Sequence, residues 1–303
     1  MIKIQNSNKY NFSVKLINVD FVKKLIYEQF PEYSHLSINP VEQQGHDNRT
    51  FRLGNNMLVR LPSAEYYALK VAKEQELLPF LKSYLSIDIP VPIKMGNPSC
   101  NYPFHFSIYK WLNGTSANQL NFDDKSLEII SLQLANFLKE LHSINNVNGP
   151  PPGKHNGWGG GHLIVKDIGA RSQISELGGI IDGKACMEFW EMVSKIKFNK
   201  KVWIHGDFAF GNFLIDGLKL SGVIDFGGMA IGDPACDLVI AWTFLKGKSR
   251  QTFKHEMNYD SDTWLRARGW ALWKATFDLC EIMDKNSNEA IRQKKIIEDV
   301  LNE

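Results

Sequence analysis

Between residues 38 and 112 the spacing of hydrophobic and polar positions changes twice. From about Ile38 to Leu61, short runs and polar turns alternate in the order VEQQ, GHDN, TFRL, GNN and MLVRL, which predicts a meander of antiparallel strands. From Ser63 to about Leu85 the apolar residues recur every three to four positions, and this predicts a helix with Ser63 as its N-cap. The next segment, IDIPVPIKMG, contains two prolines, which is typical of an edge strand. It is followed by YPFHFSIYKWL, whose aromatic and branched residues predict another strand.

After Asn113 and Gly114 the pattern becomes mainly helical. The clearest helix is KSLEIISLQLANFLKELHSI, which ends in a loop, GPPPGKHNGWGGGH, too rich in proline and glycine for a regular element. Three later segments also have helical character: CMEFWEMVSKI, PACDLVIAWTFL and SDTWLRARGWALWKATFDLCEIM. The chain is therefore predicted to be α+β, with a small β-rich region over residues 1–110 and a larger helical region over 111–303.

One hairpin is predicted with particular clarity. Phe213–Ile215 and Leu220–Ile224 are short apolar runs separated by a segment that begins with Asp-Gly, a strong hairpin signal. Asn212 directly precedes the first run and Asp225 directly follows the second. Pairing of the two strands therefore brings the Asn212 amide oxygen and the Asp225 carboxylate together. That donor pair suits a small oxygen-liganded cation such as Mg²⁺.

The residues before this hairpin follow the spacing of a phosphoryl-transfer loop. His205, Asp207 and Asn212 reproduce the pattern H-x-D-x-x-x-x-N, in which the amide holds metal while the carboxylate accepts or orients a proton from an attacking hydroxyl. Asp225 begins the tripeptide D-F-G, whose aspartate coordinates the metal that bridges nucleotide phosphates. The three parts occur in the right order and at the right intervals.

In the N-terminal region, Arg60 is the cation on the third predicted strand, where the phosphoryl-transfer pattern has lysine. Glu74 is its expected partner because it lies on the apolar face of the predicted helix, where an unpaired carboxylate is costly. A purely structural ion pair is the alternative. No G-x-G-x-x-G occurs between the first strands, and Gly45 with the adjoining polar turn is the only candidate cover for phosphates.

Composition narrows the class of partner. The chain has 35 basic and 33 acidic residues, a net charge of +2, which gives no uniform field for nucleic acid or an anionic membrane. No apolar run approaches the roughly 20 residues of a membrane span. Cys100, Cys186, Cys236 and Cys280 form no C-x-x-C pair, which favours reduced thiols. We therefore expect a cytoplasmic protein without nucleic-acid or membrane partners.

These motifs carry a family resemblance. WIHGDFAFGNFLIDG together with GVIDFGGMAIGDPACDL resembles the aminoglycoside phosphotransferase and choline kinase superfamily. The likeness extends to the first strands, the helix bearing Glu74, YKWLNG and FLKELHSI, and so to most of the chain. It implies a protein-kinase-like fold of two lobes, and GDPACDL in place of A-P-E favours small-molecule kinases over protein kinases.

In the C-terminal region the resemblance implies a role for five aspartate and asparagine residues. Asp207 would be the catalytic base, and Asn212 and Asp225 the metal ligands. Asp233 would start the following helix, and Asp237 would brace the catalytic loop.

In the N-terminal region the resemblance implies nucleotide contacts. Arg60, paired with Glu74, would contact the phosphates. The backbone of Lys110, Trp111 and Leu112 would form the adenine-binding hinge.

The implied activity is Mg²⁺-dependent transfer of the γ-phosphoryl group of ATP or GTP to a hydroxyl of a small molecule, as in antibiotic resistance kinases. A metabolite kinase for choline-like, sugar or amino-alcohol acceptors, and a non-catalytic pseudokinase, are the alternatives. The near-neutral charge gives no support to a polycationic acceptor.

Among the tryptophans, Trp158, Trp264, Trp270 and Trp273 are candidates to line the acceptor site, although Trp270 and Trp273 fit a helical core better. The loop that contains Trp158 is interpreted either as a mobile cover for that site or as a surface connector.

Overall fold

The computed structural model describes residues 14–42, 44–45, 47–99, 101–145 and 148–303. These residues form two compact units. The first runs to Ser83 and includes Ile89–Leu112, and the second comprises Tyr84–Asp88 and Asn113–Glu303. In the described ranges, no helix combines the length and apolar character needed to cross a membrane.

The first unit is built on an antiparallel sheet of five strands in the order β1-β2-β3-β5-β4. The strands are β1 (Ile38–Pro40), β2 (Asn48–Leu53), β3 (Met57–Pro62), β4 (Pro92–Gly96) and β5 (Phe106–Lys110). The predicted meander is thus confirmed for β2 and β3, and the proline-punctuated segment forms the edge strand β4.

The first strand lies earlier in the sequence than the run VEQQ suggests. It ends at Pro40, and Gln44 contacts β2 with its side chain rather than its backbone. The Gln44 side-chain oxygen accepts from the Thr50 N–H at 2.8 Å, and its amide donates to the Thr50 carbonyl at 2.7 Å. The Val41 N–H still donates to the Thr50 carbonyl at 3.2 Å, and beyond Val41 the Gln44 side chain takes the place of the backbone pairing expected of a longer strand.

Two helices accompany this sheet, α1 (Val19–Gln29) and α2 (Glu65–Lys82). The α2 helix confirms the predicted period, and it buries Val71, Leu78 and Leu81. Its N-cap is Ala64 rather than the predicted Ser63, and the Ser63 hydroxyl donates to the Asp47 carbonyl at 3.0 Å.

The second unit contains two small sheets. One has the order β6-β8-β9 and the other pairs β10 with β7. The strands are β6 (Thr115–Ser116), β7 (Val202–Ile204), β8 (Phe213–Asp216), β9 (Lys219–Val223) and β10 (Ala230–Gly232). The predicted hairpin is confirmed as β8 and β9, joined by a tight turn in which Gly217 has φ +62°.

Helices are the main elements of the second unit. The helices are α3 (Asp124–His142), α4 (Asp167–Glu176), α5 (Gly183–Val193), α6 (Ile240–Thr243), α7 (Gly247–Met257), α8 (Ser261–Glu281) and α9 (Asn288–Leu301). The predictions of α3, α5 and α8 are confirmed. The predicted helix PACDLVIAWTFL is reduced to the short α6, and the pattern missed α4, α7 and α9. The combination of a small antiparallel sheet and a larger helical region confirms the predicted α+β class.

The cysteines in the described ranges are free thiols. Cys186 and Cys236 are buried, and burial raises the pKa of Cys186 to about 12. Cys280 is partly exposed. The fourth, Cys100, lies outside the described residues.

Candidate active site

The β8–β9 hairpin brings the two predicted metal ligands together. Phe213 pairs with Val223, and one step further along the ladder the Ile224 N–H donates to the Asn212 carbonyl at 2.9 Å. Asp225 follows Ile224 directly, so the Asn212 side chain and the Asp225 carboxylate lie at the same open end of the hairpin. Both residues are partly exposed.

Asp207 lies on a compact turn that ends at Asn212. Its carbonyl accepts from the Ala209 N–H at 2.9 Å and from the Asn212 side-chain amide at 3.0 Å. The second bond orients the Asn212 side chain, because Nδ2 is directed at Asp207 and Oδ1 remains available as an oxygen donor. Asp207 is exposed, which leaves it accessible to a substrate hydroxyl.

The ring of His205 supports this turn from inside the unit. Nε2 lies 3.0 Å from the Ile224 carbonyl, which can only accept, so Nε2 carries the proton. Nδ1 then accepts from the Asp207 N–H at 3.3 Å. One fully buried imidazole therefore links the residue before Asp225 to the backbone of Asp207.

Asp237 braces the same turn, as the resemblance implies. Its carboxylate, fully buried, accepts from the N–H groups of His205 at 2.7 Å and Gly206 at 2.8 Å. His142 Nε2 lies 3.2 Å from the same carboxylate. The Tyr259 hydroxyl lies 2.9 Å from His142 Nδ1, and burial raises the pKa of that phenol.

The backbone between these groups leaves no room for a side chain at Gly206. This residue has φ +80°, and a Cβ atom there would lie 2.1 Å from the Gly228 carbonyl oxygen. Glycine is therefore required both by the left-handed conformation and by the close approach of the two chain segments.

Asp225 also adopts the left-handed region, with φ +64°, where aspartate is among the more tolerant residues. The next residue, Phe226, is buried, and its ring lies 4.6 Å from the His205 ring and 6.5 Å from that of Phe137 between centroids. The aromatic packing of Phe226 fixes the chain just after Asp225.

Asp233 fills the expected structural role. Its side chain accepts from the Ala235 N–H at 3.1 Å at the start of a short 3₁₀ turn, and it pairs with the buried Arg266 at 2.7 and 3.1 Å. Burial raises the pKa of the Asp233 carboxyl, and the guanidinium opposes that shift.

Three residues of this site were not identified from the sequence: His142, Asn156 and Arg266. His142 lies four positions after Leu138, and Arg266 four positions before Trp270, so each continues a buried helical stripe that could have marked it. Asn156 lies in the glycine-rich loop. Its amide donates to the carbonyls of Gly159 at 3.0 Å and Gly228 at 3.1 Å, and no sequence period indicates this contact.

In the first unit, Arg60 on β3 and Glu74 on α2 are partners, with Nη1 3.5 Å from each carboxylate oxygen. The Tyr109 hydroxyl also donates to Glu74. Burial, followed by the negative charge of Glu74, raises the pKa of Tyr109 well above its ordinary value. With its oxygen turned toward Arg60, the Asn48 amide accepts from Nη2 at 3.0 Å and Nε at 3.1 Å.

Arg60 and Glu74 line a small cavity, and a second cation, Lys70, lines it too. Lys70 forms an ion pair with Asp47 at 2.7 Å, and its ammonium lies 5.3 Å from the Tyr67 ring centroid. Arg60, Tyr67, Lys70 and Glu74 all contribute to the wall of this cavity. Two positive and two negative side chains are therefore grouped at one place in the first unit.

The segment Lys110, Trp111 and Leu112 follows β5. The Lys110 N–H donates to the Val91 carbonyl at 3.3 Å, and the Trp111 N–H to the Asn56 carbonyl at 2.8 Å. The Arg52 guanidinium lies 3.8 Å from the Trp111 ring centroid. The N–H groups of the first two residues are therefore already engaged within the first unit.

The donor set at the hairpin end suits a hard cation. Asn212 and Asp225 offer an amide oxygen and a carboxylate, the ligand types that Mg²⁺ prefers. Across the described ranges, no group of three or more His, Cys, Asp or Glu side chains is arranged to hold a metal ion. A site with few protein ligands fits Mg²⁺, which keeps several of its waters, better than it fits Zn²⁺.

Comparison with known proteins gives a family match, and curated relatives are found as well. A model of a phosphotransferase enzyme family matches residues 38–270, more than half of the chain. The aminoglycoside 3'-phosphotransferase of Salmonella typhimurium is 32% identical over 123 residues. That alignment covers 37% of this chain and 42% of the relative, so the chain spans less than half the length of that curated relative.

Solved structures extend the similarity to almost the whole chain. The GDP complex of wild-type aminoglycoside 2'-phosphotransferase-IIIa has a TM-score of 0.71 at 19% identity, covering 94% of this chain and 99% of that one. The streptomycin-ATP-APH(2'')-IIa ternary complex has a TM-score of 0.61 at 19% identity, covering 95% and 98%. These similarities confirm the predicted kinase-like fold.

Proposed function

Because the chain belongs to the phosphotransferase enzyme family, we propose that it transfers the γ-phosphoryl group of ATP or GTP to a hydroxyl of a small molecule. The observation that carries this proposal is the open end of the β8–β9 hairpin. There the backbone bond from Ile224 to Asn212 groups Asn212 with Asp225, and the Asn212 amide is bonded to the backbone of Asp207.

Asp207 is the proposed catalytic base. Its carboxylate accepts the proton of the acceptor hydroxyl as the acceptor oxygen bonds to the γ-phosphorus. The bond from that phosphorus to the oxygen shared with the β-phosphate breaks, and ADP or GDP leaves with the electron pair. The Asp237 carboxylate and the His205 ring accept hydrogen bonds from backbone N–H groups of this turn, and these bonds fix the backbone that carries Asp207.

Asn212 Oδ1 and the Asp225 carboxylate are the proposed Mg²⁺ ligands. When bound, the metal neutralises charge on the nucleotide phosphates. The Asn212 amide cannot turn its nitrogen toward the metal without losing its bond to the Asp207 carbonyl, so the turn itself selects the correct orientation.

Arg60 is the proposed phosphate-contacting cation, and its partner Glu74 on α2 also accepts from the Tyr109 hydroxyl. Arginine offers phosphate a planar fork rather than the point charge of lysine. Near the end of this unit, the adenine or guanine base would contact the backbone of Lys110, Trp111 and Leu112. Since the first two N–H groups are engaged, the Leu112 N–H and the segment's carbonyls are the proposed base contacts.

We propose an antibiotic as the acceptor, because the curated relative is an aminoglycoside phosphotransferase and a structural neighbour is a complex with streptomycin. The net charge of +2 supports a second candidate, a metabolite kinase for a less cationic sugar or amino alcohol. Either activity draws on cytoplasmic nucleotide, so we place the protein in the cytoplasm.

The test is release of ADP or GDP in the presence of Mg²⁺ and a panel of aminoglycosides, choline, sugars and amino alcohols. We expect at least one acceptor to stimulate release, and Asp207→Ala to lower turnover by about 10²- to 10⁴-fold. Asp216→Ala is the matched control, because this exposed residue lies in the same hairpin, at its turn, and should leave turnover unchanged.

A thermal-shift titration with Mg-ATP and Mg-GTP separates an enzyme from a pseudokinase that has lost nucleotide binding. We expect at least one nucleotide to raise the melting temperature of both wild type and Asp207→Ala. A protein that responds to neither nucleotide and phosphorylates no acceptor would contradict the proposed function.

A further inference from the structure

Trp158 differs from the other tryptophans in its surroundings. Of the eight in the chain, it is the one in the exposed class, with 46% of its surface accessible. In the described part of the chain its indole has no ring contact and no hydrogen bond. A large aromatic side chain is thus left at the surface, where its ring can contact a ligand.

The backbone holds Trp158 in a conformation that costs free energy. Its φ is +61°, in the left-handed region, which a bulky residue rarely occupies. Strain of this kind persists where the surrounding structure imposes it, and it is frequent at functional sites. A glycine at this position would relieve the strain, so folding alone does not explain a tryptophan here.

The loop around Trp158 is anchored rather than loosely connected. The Trp158 N–H donates to the Gly153 carbonyl at 2.8 Å, and the Asn156 amide is bonded to Gly159 and Gly228. The Lys166 ammonium donates to the Gly157 carbonyl at 2.7 Å. Of the two interpretations made from the sequence, a surface connector fits these contacts better than a mobile cover.

This loop lies beside the turn that carries Asp207. A Cβ atom built on Gly159 would be 3.1 Å from the Gly206 carbonyl oxygen. Trp158 precedes Gly159, and Asp207 follows Gly206, so the exposed indole and the proposed base each lie one residue from the same backbone contact.

We propose that Trp158 binds the acceptor, by packing its indole against the C–H face of a saturated, sugar-like ring whose hydroxyl is activated by Asp207. An ammonium group on that ring would add a favourable interaction with the indole. This inference rests on the proposed function and adds a residue that recognises the acceptor.

Two variants and a control test this inference, with the best acceptor from the panel. Trp158→Gly removes the ring and the strain, whereas Trp158→Phe keeps an aromatic face. We expect Trp158→Gly to lower kcat/KM for the acceptor about 10-fold or more, mainly through KM, with an unchanged nucleotide thermal shift and a melting temperature at or above that of wild type. Trp158→Phe should stay within about threefold of wild type, as should Tyr27→Ala, a change at an exposed aromatic residue of α1 (71%).

The possible failures are distinguishable. An active wild type with unchanged acceptor KM in Trp158→Gly would overturn this inference and leave the proposed function standing. A lowered melting temperature in Trp158→Gly, with kcat and acceptor KM unaltered, would assign the tryptophan a structural role and also overturn it. A wild type that turns over no acceptor would overturn both proposals.

Discussion

Two buried carboxylates, Asp237 in the second unit and Glu74 in the first, hold their neighbours in different ways. Asp237 accepts from two backbone N–H groups at 2.7 and 2.8 Å, so it fixes the course of the chain before Asp207. Glu74 accepts from side chains, Tyr109 and the more distant Arg60 at 3.5 Å. A carboxylate bonded to backbone builds a rigid turn, whereas one bonded to side chains can share its cation with a ligand.

Asp237→Asn should produce the largest loss of stability and activity. An amide has one oxygen, so it can accept from only one of the two N–H groups, and its own NH₂ would face the other. We expect the free energy of unfolding to fall by about 2–3 kcal/mol, together with loss of activity. Denaturant unfolding measures the first effect. Asp216→Asn, at an exposed turn, is the control, and an equal loss in both variants would contradict the distinction.

Glu74→Gln should have a smaller effect on stability and a clearer effect on nucleotide. One amide oxygen can still accept from Tyr109 or Arg60, so we expect a cost of about 1–2 kcal/mol. The affinity for Mg-nucleotide should fall about tenfold, equivalent to about 1.4 kcal/mol, because Arg60 loses its charged partner.

Calorimetric titration of Glu74→Gln with Mg-ATP and Mg-GTP measures this change in affinity. Glu76→Gln, two positions along the same helix and exposed, is the matched control. If Glu74→Gln destabilised the protein as much as Asp237→Asn, side-chain and backbone partners would be equivalent and the comparison would fail.

The partly buried Lys166 extends the comparison to a cation with a backbone partner. Its ammonium donates to the Gly157 carbonyl and lies 4.1 Å from the Trp273 ring centroid, and burial lowers its pKa from 10.5 to about 8. Because the folded pKa is the lower one, the unfolded chain binds more protons between pH 8 and 10.5. The stability contributed by this group therefore rises with pH across that window.

Lys166→Met should remove this pH dependence. We expect the unfolding free energy of wild type, relative to the variant, to increase by on the order of 1 kcal/mol from pH 8 to pH 10. Lys184→Met, at a side chain 87% exposed, should show no such trend. A flat difference for Lys166→Met would mean that the ammonium is better solvated than its contacts indicate.

The parts of the fold that could be predicted from the sequence are those with a local signal. The Asp-Gly turn and its flanking apolar runs located Asn212 and Asp225, and the apolar stripe of α3 located a core helix. By contrast, α7 has a polar sequence, GKSRQTFKHEM, with only Ser249, Phe253 and Met257 buried. Its helical structure depends on packing against α3, and an apolar period cannot reveal it.

In the candidate active site, too, the residues that could be predicted are those with a local sequence signal. Asp207, Asn212 and Asp225 have a fixed spacing, so the sequence places them in one motif, although their catalytic and metal roles stay predictions. The support provided by Asn156 depends on a long-range contact with Gly228, and the left-handed φ of Trp158 depends on how its loop is anchored. Neither has a local pattern, because both arise only when distant segments meet.

The imidazole of His205 has a consequence for spectroscopy. Its Nε2 proton is fully buried and bonded to the Ile224 carbonyl at 3.0 Å, so it should exchange slowly with water. A proton of this kind gives a resolved signal downfield of the amide region in an NMR spectrum. That single resonance would report the integrity of the turn before Asp207 in any variant, without substrate, nucleotide or label.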